Sequence, residues 1–147
     1  MEVEKTKLKG VGYWKNDECR RYPQPEWLVQ PGWHTQELAK IITYLRSERI
    51  YMSYLGYSYC RFSDCRDECR ECNGDCDLTD GVWVWPEGLA HYIEKHSVIL
   101  PEEFVSTMRS NDWRISQQID MSKVKTGWDT TFWIKWARKR RPWHIIW

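Results

Sequence analysis

Residues 79–96 read TDGVWVWPEGLAHYIEKH, and this stretch is the strongest indication of the architecture in the sequence. The alternation in the segment GVWVW, residues 81–85, predicts a strand with its valines on one face and its tryptophans on the other. Pro86 suits the first position of a helix, and Glu87 then lies in the first turn, where the helix dipole favours an acid. We therefore expect a strand that passes directly into a helix ending near Ser97.

Helical periodicity recurs on both sides of this stretch. Apolar residues at helical spacing predict an amphipathic helix from an N-cap at Thr35 to about Ser47, and its stripe is Leu38, Ile41, Ile42 and Leu45. The start signal at residues 100–103 predicts a helix ending near Arg109. A last helix is expected over residues 130–140, because Pro142 stops it.

Strand signals are fewer. Residues 50–62 are aromatic and β-branched, and Gly56 in their middle predicts a bulged strand or a tight hairpin. A further edge strand is expected over residues 113–119. The sum is an α+β fold, a single small domain in which a short antiparallel sheet packs with three to four helices and a cysteine-rich loop.

The length of 147 residues fits one domain with a real core. Residues 1–9 alternate in charge and are expected to form a flexible N-terminus. Residues 10–147 are expected to form the domain, with a cysteine-rich loop over 60–76 and a basic, tryptophan-rich C-terminal segment over 129–147.

Five of the six cysteines crowd into residues 60–76 at spacings C-x4-C-x3-C-x2-C-x3-C. Zinc is bound by four thiolate or imidazole ligands in a tetrahedron, so this density predicts a zinc site. One ligand set is local and consists of Cys65, Cys69, Cys72 and Cys76. A second set joins the last two of these cysteines to His91 and His96, and Cys60 is an alternative ligand at a strand end.

Helix geometry argues against the second set. At about 100° per residue, His96 falls on the apolar stripe of its helix while His91 projects about 140° away. We therefore expect both histidines to reach one metal only if the helix unwinds before His96. Free thiols and disulfides remain the alternatives, and Cys19 is a small buried side chain or a disulfide partner.

The strand-to-helix junction is a second candidate site. Asp80, Glu87 and His91 are titratable groups near the indoles of Trp83 and Trp85, an arrangement that suits a pocket wall. They are the candidate catalytic or ligand-binding groups. The alternative is structural: the aspartate caps a turn, the glutamate answers the helix dipole and the histidine is solvated.

Charge and aromatic content bear on partners. The formal net charge of +1 gives no global signal for nucleic acid or membrane. Residues 132–147 nevertheless contain no acid and five basic residues, Lys135, Arg138, Lys139, Arg140 and Arg141. Mixed with tryptophan, of which the chain has 11, they predict either packing of this segment on the domain with a basic rim or a protein partner, with nucleic acid or anionic lipid as further alternatives.

The N-terminal residues contain no apolar run, and no stretch approaches the roughly 20 apolar residues that span a bilayer. A cytoplasmic or nuclear location is therefore expected, or a secreted one if the cysteines form disulfides. The first functional hypothesis is a zinc-stapled interaction module, adaptor or complex subunit. The alternatives are an enzyme or ligand-binding protein with its pocket at the Trp85–His91 junction, and nucleic-acid binding through the basic segment.

The string TDGVWVWPEGLAHY, residues 79–92, resembles a motif of small uncharacterised domains, TDGxWxWPEGLxHY, followed by a VxLP segment that is here residues 98–101. The resemblance extends more weakly from about Trp33 to Val105. It implies no activity. The cysteines between Ser63 and Cys76 are an elaboration of this chain, so the resemblance implies no shared metal role.

Overall fold

The computed structural model describes residues 4–47, 49–68, 73–116 and 118–142. Its strands are β1 (Thr6–Gly10), β2 (Ile50–Ser53), β3 (Cys76–Thr79), β4 (Trp83–Pro86) and β5 (Val124–Asp129). Its α-helices are α1 (Leu38–Leu45), α2 (Ser63–Glu68), α3 (Leu89–His96), α4 (Glu102–Ser110) and α5 (Thr131–Arg138). Short 3-10 turns lie at Pro25–Leu28 and Met121–Lys123.

The five strands form one mixed sheet in the order β2-β3-β4-β1-β5. Strands β2, β3 and β4 are antiparallel neighbours, whereas β1 runs parallel to both β4 and β5. The α+β class is therefore confirmed, but the expectation of a purely antiparallel sheet is wrong. Pairings of β1 with strands far along the chain leave no local signal in the sequence.

The N-terminal segment is the clearest correction. Residues 1–9 are expected to form a flexible N-terminus, yet residues 6–10 form β1 between β4 and β5. The Lys9 amide donates to the carbonyl of Val82 at 2.9 Å, and Leu8 is only 1% exposed. Because Lys7 and Lys9 are exposed on either side of Leu8, the segment resembles a charged tail in sequence.

A tight turn joins β3 to β4. The Asp80 carboxylate accepts hydrogen bonds from the amides of Val82 and Trp83 at 2.9 and 2.7 Å, and Gly81 takes φ of +91°. This conformation favours glycine because a Cβ atom would be strained there. A second carboxylate oxygen of Asp80 accepts the Tyr44 hydroxyl at 2.7 Å, which ties the turn to α1.

The passage from β4 to α3 differs from the expected one. Pro86 ends the strand opposite Asp77 instead of opening the helix, and Gly88 precedes Leu89 at the start of α3. Helix α1 keeps its predicted stripe, and α4 and α5 lie within a residue or two of the predicted bounds. No strand forms in the described part of residues 113–119, and β3 and β5 were not predicted.

Tryptophan side chains fill the core. Trp83, Trp85 and Trp133 are fully buried together with Tyr44 and Phe104. The indole of Trp83 donates to the Thr107 hydroxyl at 3.0 Å, and that of Trp85 donates to the Leu45 carbonyl at 3.0 Å. Buried tryptophan N–H groups need such partners. Of the nine tryptophans that the structure describes, four are buried and four more pack partly buried against the core. Within the described ranges, each helix is too short or too polar to cross a bilayer.

The position of β1 inside the sheet is testable by substitution. We expect Leu8→Ala to lower the free energy of unfolding by about 2–5 kcal/mol, because it removes a buried side chain between two strands. Lys7→Ala, an exposed change on the same strand, should alter stability by less than about 0.5 kcal/mol. Urea unfolding of the two variants measures the difference. Equal, small effects would mean that the N-terminus is a tail.

Candidate metal centre

Four potential ligands from two parts of the chain converge beside α3. The thiol sulfurs of Cys60 and Cys65 and one nitrogen from each of His91 and His96 all lie within 4.8 Å of one another. Cys60 precedes α2 and Cys65 lies within it, while both histidines come from α3. By geometry the group could hold a metal ion.

Two cysteine–histidine distances in the group are close to those expected around a tetrahedral ion. Cys60 Sγ lies 3.3 Å from His96 Nε2, and Cys65 Sγ lies 3.2 Å from His91 Nε2. Zinc bonds of about 2.3 Å to sulfur and about 2.0–2.1 Å to nitrogen place such atoms about 3.6 Å apart at a tetrahedral angle. Each of these two pairs would need to separate by only about 0.3–0.4 Å around an ion.

Contacts around the cluster fix its ligands. The Arg61 amide, next to Cys60, donates to the Tyr92 hydroxyl at 2.8 Å, which ties the segment to α3. The Phe62 ring stacks on the His96 imidazole with centroids 4.1 Å apart. The Cys65 amide then donates to the Phe62 carbonyl at 3.1 Å and turns the chain into α2. Supporting contacts of this kind orient metal ligands in proteins.

Burial sets the protonation of the free ligands. Burial lowers the pKa of His91, and the charge of His96 adds to the effect, while burial alone lowers the pKa of His96. Both rings are therefore held in the neutral form that binds metals. Burial raises the pKa of the Cys60 thiol, and the nearby Cys65 raises it further. A divalent cation reverses this balance because it favours the thiolate.

The expectation that α3 must unwind for both histidines to share a metal is wrong. Helix α3 continues through His96, and the centroids of the two imidazoles are 5.2 Å apart. The angle between two positions on a helix gives only the directions of their Cα–Cβ bonds. Five residues advance only about 7.5 Å along the axis, so rotation about the side-chain bonds can bring the rings together.

The other cysteines have different surroundings. Cys76 lies beside Asp75 and Glu87, where its thiol donates to the Asp75 carboxylate at 3.1 Å. Cys69 and Cys72 lie outside the described residues, so the local set of four cysteines stays a prediction. Cys19, Cys60, Cys65 and Cys76 are all free thiols.

The three candidate catalytic residues do not share one site. Asp80 accepts backbone N–H bonds in the hairpin turn, as its structural alternative predicted. One Glu87 oxygen accepts the amides of Asp75 and Cys76 at 3.0 and 3.2 Å, a role that sequence reasoning missed. His91 faces the thiol of Cys65, at the other candidate site.

The motif around the junction has a structural explanation. A Cβ atom at Gly88 would lie 2.4 Å from the Cβ of Asn73, so glycine allows two turns to meet. The Thr79 hydroxyl donates to the carbonyl of Trp83 at 2.6 Å across the hairpin. The indoles of Trp83 and Trp85 lie in the core and not on a pocket wall. Most of the motif therefore specifies folding.

Comparisons with known proteins gave no match: no family model, curated protein or solved structure matches the chain. The resemblance to small domains with the TDGxWxWPEGLxHY motif therefore stays a prediction. Sequence reasoning named all four clustered residues but not their combination. The signal for it was the equal spacing C-x4-C and H-x4-H at residues 60–65 and 91–96.

Asp80 provides a test of the structural role by pH. Burial raises the pKa of its carboxyl group, although the Tyr44 hydrogen bond opposes the shift. Its contribution to stability is therefore fully present below the unfolded pKa of about 3.9 and is lost as pH rises through the folded pKa. We expect the stability of the wild type relative to Asp80→Asn to fall as pH rises above about 4.

The measurement is urea unfolding of both proteins at several pH values, at equal metal content. The difference between them cancels contributions that the two proteins share, including that of a metal. A difference that instead grows with rising pH would show that the folded-state pKa of Asp80 is lowered.

Proposed function

We propose that the chain is a small interaction module whose fold is stapled by one zinc ion bound to Cys60, Cys65, His91 and His96. The convergence of these four ligand atoms within 4.8 Å is the observation that carries the proposal. Two thiolates and two imidazoles are a donor set that suits zinc. Four protein ligands leave no open coordination position, which is typical of a structural site and not of a catalytic one.

The staple would join segments that are distant in sequence. Cys60 is the first of the four ligands in the sequence and His96 is the last. An ion at this site would therefore close a loop of the chain that contains β3 and β4. Binding to residues that come together only in the folded chain couples metal affinity to folding free energy. Zinc also suits the reduced state of the described thiols, and it supports a cytoplasmic or nuclear location.

An interaction role is favoured over catalysis by what the junction residues do. Asp80 and Glu87 use carboxylate oxygens to bind backbone amides, and His91 faces the metal centre. These side chains are therefore committed to structure. The enzyme alternative at the Trp85–His91 junction relies on these three titratable groups, and each of them has a structural role.

A contact surface is offered by β2 and the segment that follows it. β2 is an edge strand, and an edge offers unpaired backbone groups that can bind another chain. Large apolar side chains are exposed along it, a feature of interaction sites, and they are Ile50, Met52, Tyr54, Leu55, Tyr57 and Tyr59. This surface supports a protein partner better than the tryptophans do, because many of them are buried.

The C-terminal helix keeps a second partner class open. Trp133 and Ala137 bury one face of α5, while Lys135, Arg138 and Lys139 are exposed on the other. Arg140 lies 4.1 Å from the centroid of the Trp136 ring. Nucleic acid or anionic lipid is therefore an alternative ligand for the basic side chains of α5. Arg141 belongs to the same run of basic residues in the sequence. Trp143 and Trp147 lie outside the described residues.

Elemental analysis of the purified full chain tests the staple. We expect about one zinc per chain, and loss of zinc together with a large loss of thermal stability in His91→Ala and Cys65→Ser, because the metal site and the fold form together. Cobalt substitution should give the thiolate-to-metal absorption bands of a two-sulfur tetrahedral site in the wild type only.

Matched variants separate this ligand set from the local one. Cys76→Ser and the double change Cys69→Ser with Cys72→Ser should retain zinc. Loss of zinc from the double variant, with retention in His91→Ala, would establish the local cysteine set and refute the proposed one. A wild type without metal and with all six thiols titratable would refute both.

Photo-crosslinking tests the contact surface. A photoreactive amino acid at Leu55, which is fully exposed, should crosslink to another protein in cells, and Leu55→Asp should leave zinc content and melting temperature unchanged. The same probe at Val82, an exposed residue in the β3–β4 turn, is the control. Absence of adducts at position 55, or equal adducts at both positions, would contradict the proposed surface.

A further inference from the structure

A cavity of about 560 Å³ opens between residues 12–22 and residues 54–61. This volume lies in the range of small-molecule sites. Its lining residues do not include the metal-ligand group of Cys60, Cys65, His91 and His96. The cavity is therefore a separate feature that the zinc proposal does not use.

Tyrosines form much of the cavity wall. On one side are Tyr13 and Tyr22, with centroids 6.0 Å apart, and on the other are Tyr54, Tyr57 and Tyr59. The second side is held in place by two backbone bonds, from the Tyr54 amide to the Asp75 carbonyl and from the Ser58 amide to the Gly74 carbonyl, each 2.8 Å long. Tyrosine rings carry a negative face that attracts cations.

A buried carboxylate lies among these rings. Asp77 on β3 is 3% exposed and lines the cavity. The Tyr54 hydroxyl donates a hydrogen bond to it, yet within the described ranges it forms no ion pair. Burying a carboxylate without a cation is unfavourable, so a positive group in the cavity would stabilise the folded protein.

Two buried polar atoms of the lining residues accept no hydrogen bond. They are the side-chain oxygen of Asn73 and the hydroxyl oxygen of Tyr13, whose O–H lies near the Asp77 carboxylate and interacts with it. Both can accept a hydrogen bond. Buried polar groups are rarely left unsatisfied, so these atoms indicate a ligand that donates N–H bonds.

We propose that this cavity binds a protonated primary alkylamine, with the ammonium group at Asp77 and its alkyl chain against the tyrosines. The carboxylate supplies the opposite charge, and the Tyr13 and Asn73 oxygens accept the remaining N–H bonds. An anion fits less well because, among the described lining residues, Arg61 is the one cation, against Asp77 and Glu18. Such an amine is either a free small molecule or the side chain of a lysine in a partner protein.

Calorimetric titration of the full, metal-loaded chain tests the proposal. The probe is n-butylammonium and its neutral counterpart is 1-butanol. We expect binding of the first and at least about tenfold weaker binding of the second, because a charged hydrogen-bond donor contributes more to binding than a neutral one. Equal binding of the two, or no binding of the amine, would overturn the proposal.

Variants locate the site. Asp77→Asn should weaken amine binding at least about tenfold, while the exposed Asp112→Asn, outside the cavity, should not change it. If Asp77→Asn fails to fold, Tyr57→Ala replaces it, because that side chain is more than half exposed and its removal leaves the core intact. Unchanged amine affinity in the folded variants would overturn the proposal.

A second pair of probes distinguishes the sources of the amine. N-acetyl-lysine methylamide and its norleucine analogue differ by the ammonium group. Tighter binding of the lysine compound than of butylammonium would support a lysine side chain as the ligand, and equal or weaker binding would support a free amine. Zinc content is measured on every sample, so that failure of the amine to bind is distinguished from failure of the metal centre.

Discussion

Two buried indole N–H groups determine where the helices lie on the sheet. Trp83 and Trp85 are side by side on β4, and each must donate a hydrogen bond because an unsatisfied buried donor costs about 1–3 kcal/mol. Trp83 bonds to Thr107 of α4, and Trp85 bonds to the carbonyl of Leu45 at the end of α1. The two helices are therefore fixed to the same strand by directional bonds as well as by packing.

The candidate metal centre depends on that arrangement. After β4 the chain passes through the turn at Glu87 and Gly88, where the Glu87 side chain accepts hydrogen bonds from amides at the start of β3. These bonds fix the direction in which α3 begins. The Tyr92 hydroxyl then accepts the Arg61 amide and places Cys60 next to His96. The thiols and imidazoles come together because hydrogen bonds hold β4, the turn that follows it and α3 in fixed positions.

Sequence patterns predicted the elements that carry their own periodicity. Helices α1 and α4 show apolar spacing and start signals within about ten residues. In β1, by contrast, lysines alternate with other residues, and the segment forms a strand only by pairing with a strand more than 70 residues away. The site divides in the same way. Cys60, Cys65, His91 and His96 are recognisable as ligands by type, but their combination depends on side-chain reach and on the fold between them.

The proposed zinc staple and the tyrosine-lined cavity are physically linked through Tyr92. Its ring lines the cavity and meets Trp14 edge to face at 5.1 Å, while its hydroxyl holds the segment that carries Cys60. An ion that fixes this segment also restricts residues 54–61, which form one cavity wall. Rigidifying a binding wall lowers the entropy that a ligand must lose on binding. Metal and amine affinities should therefore be coupled, and by thermodynamic reciprocity each would strengthen the other.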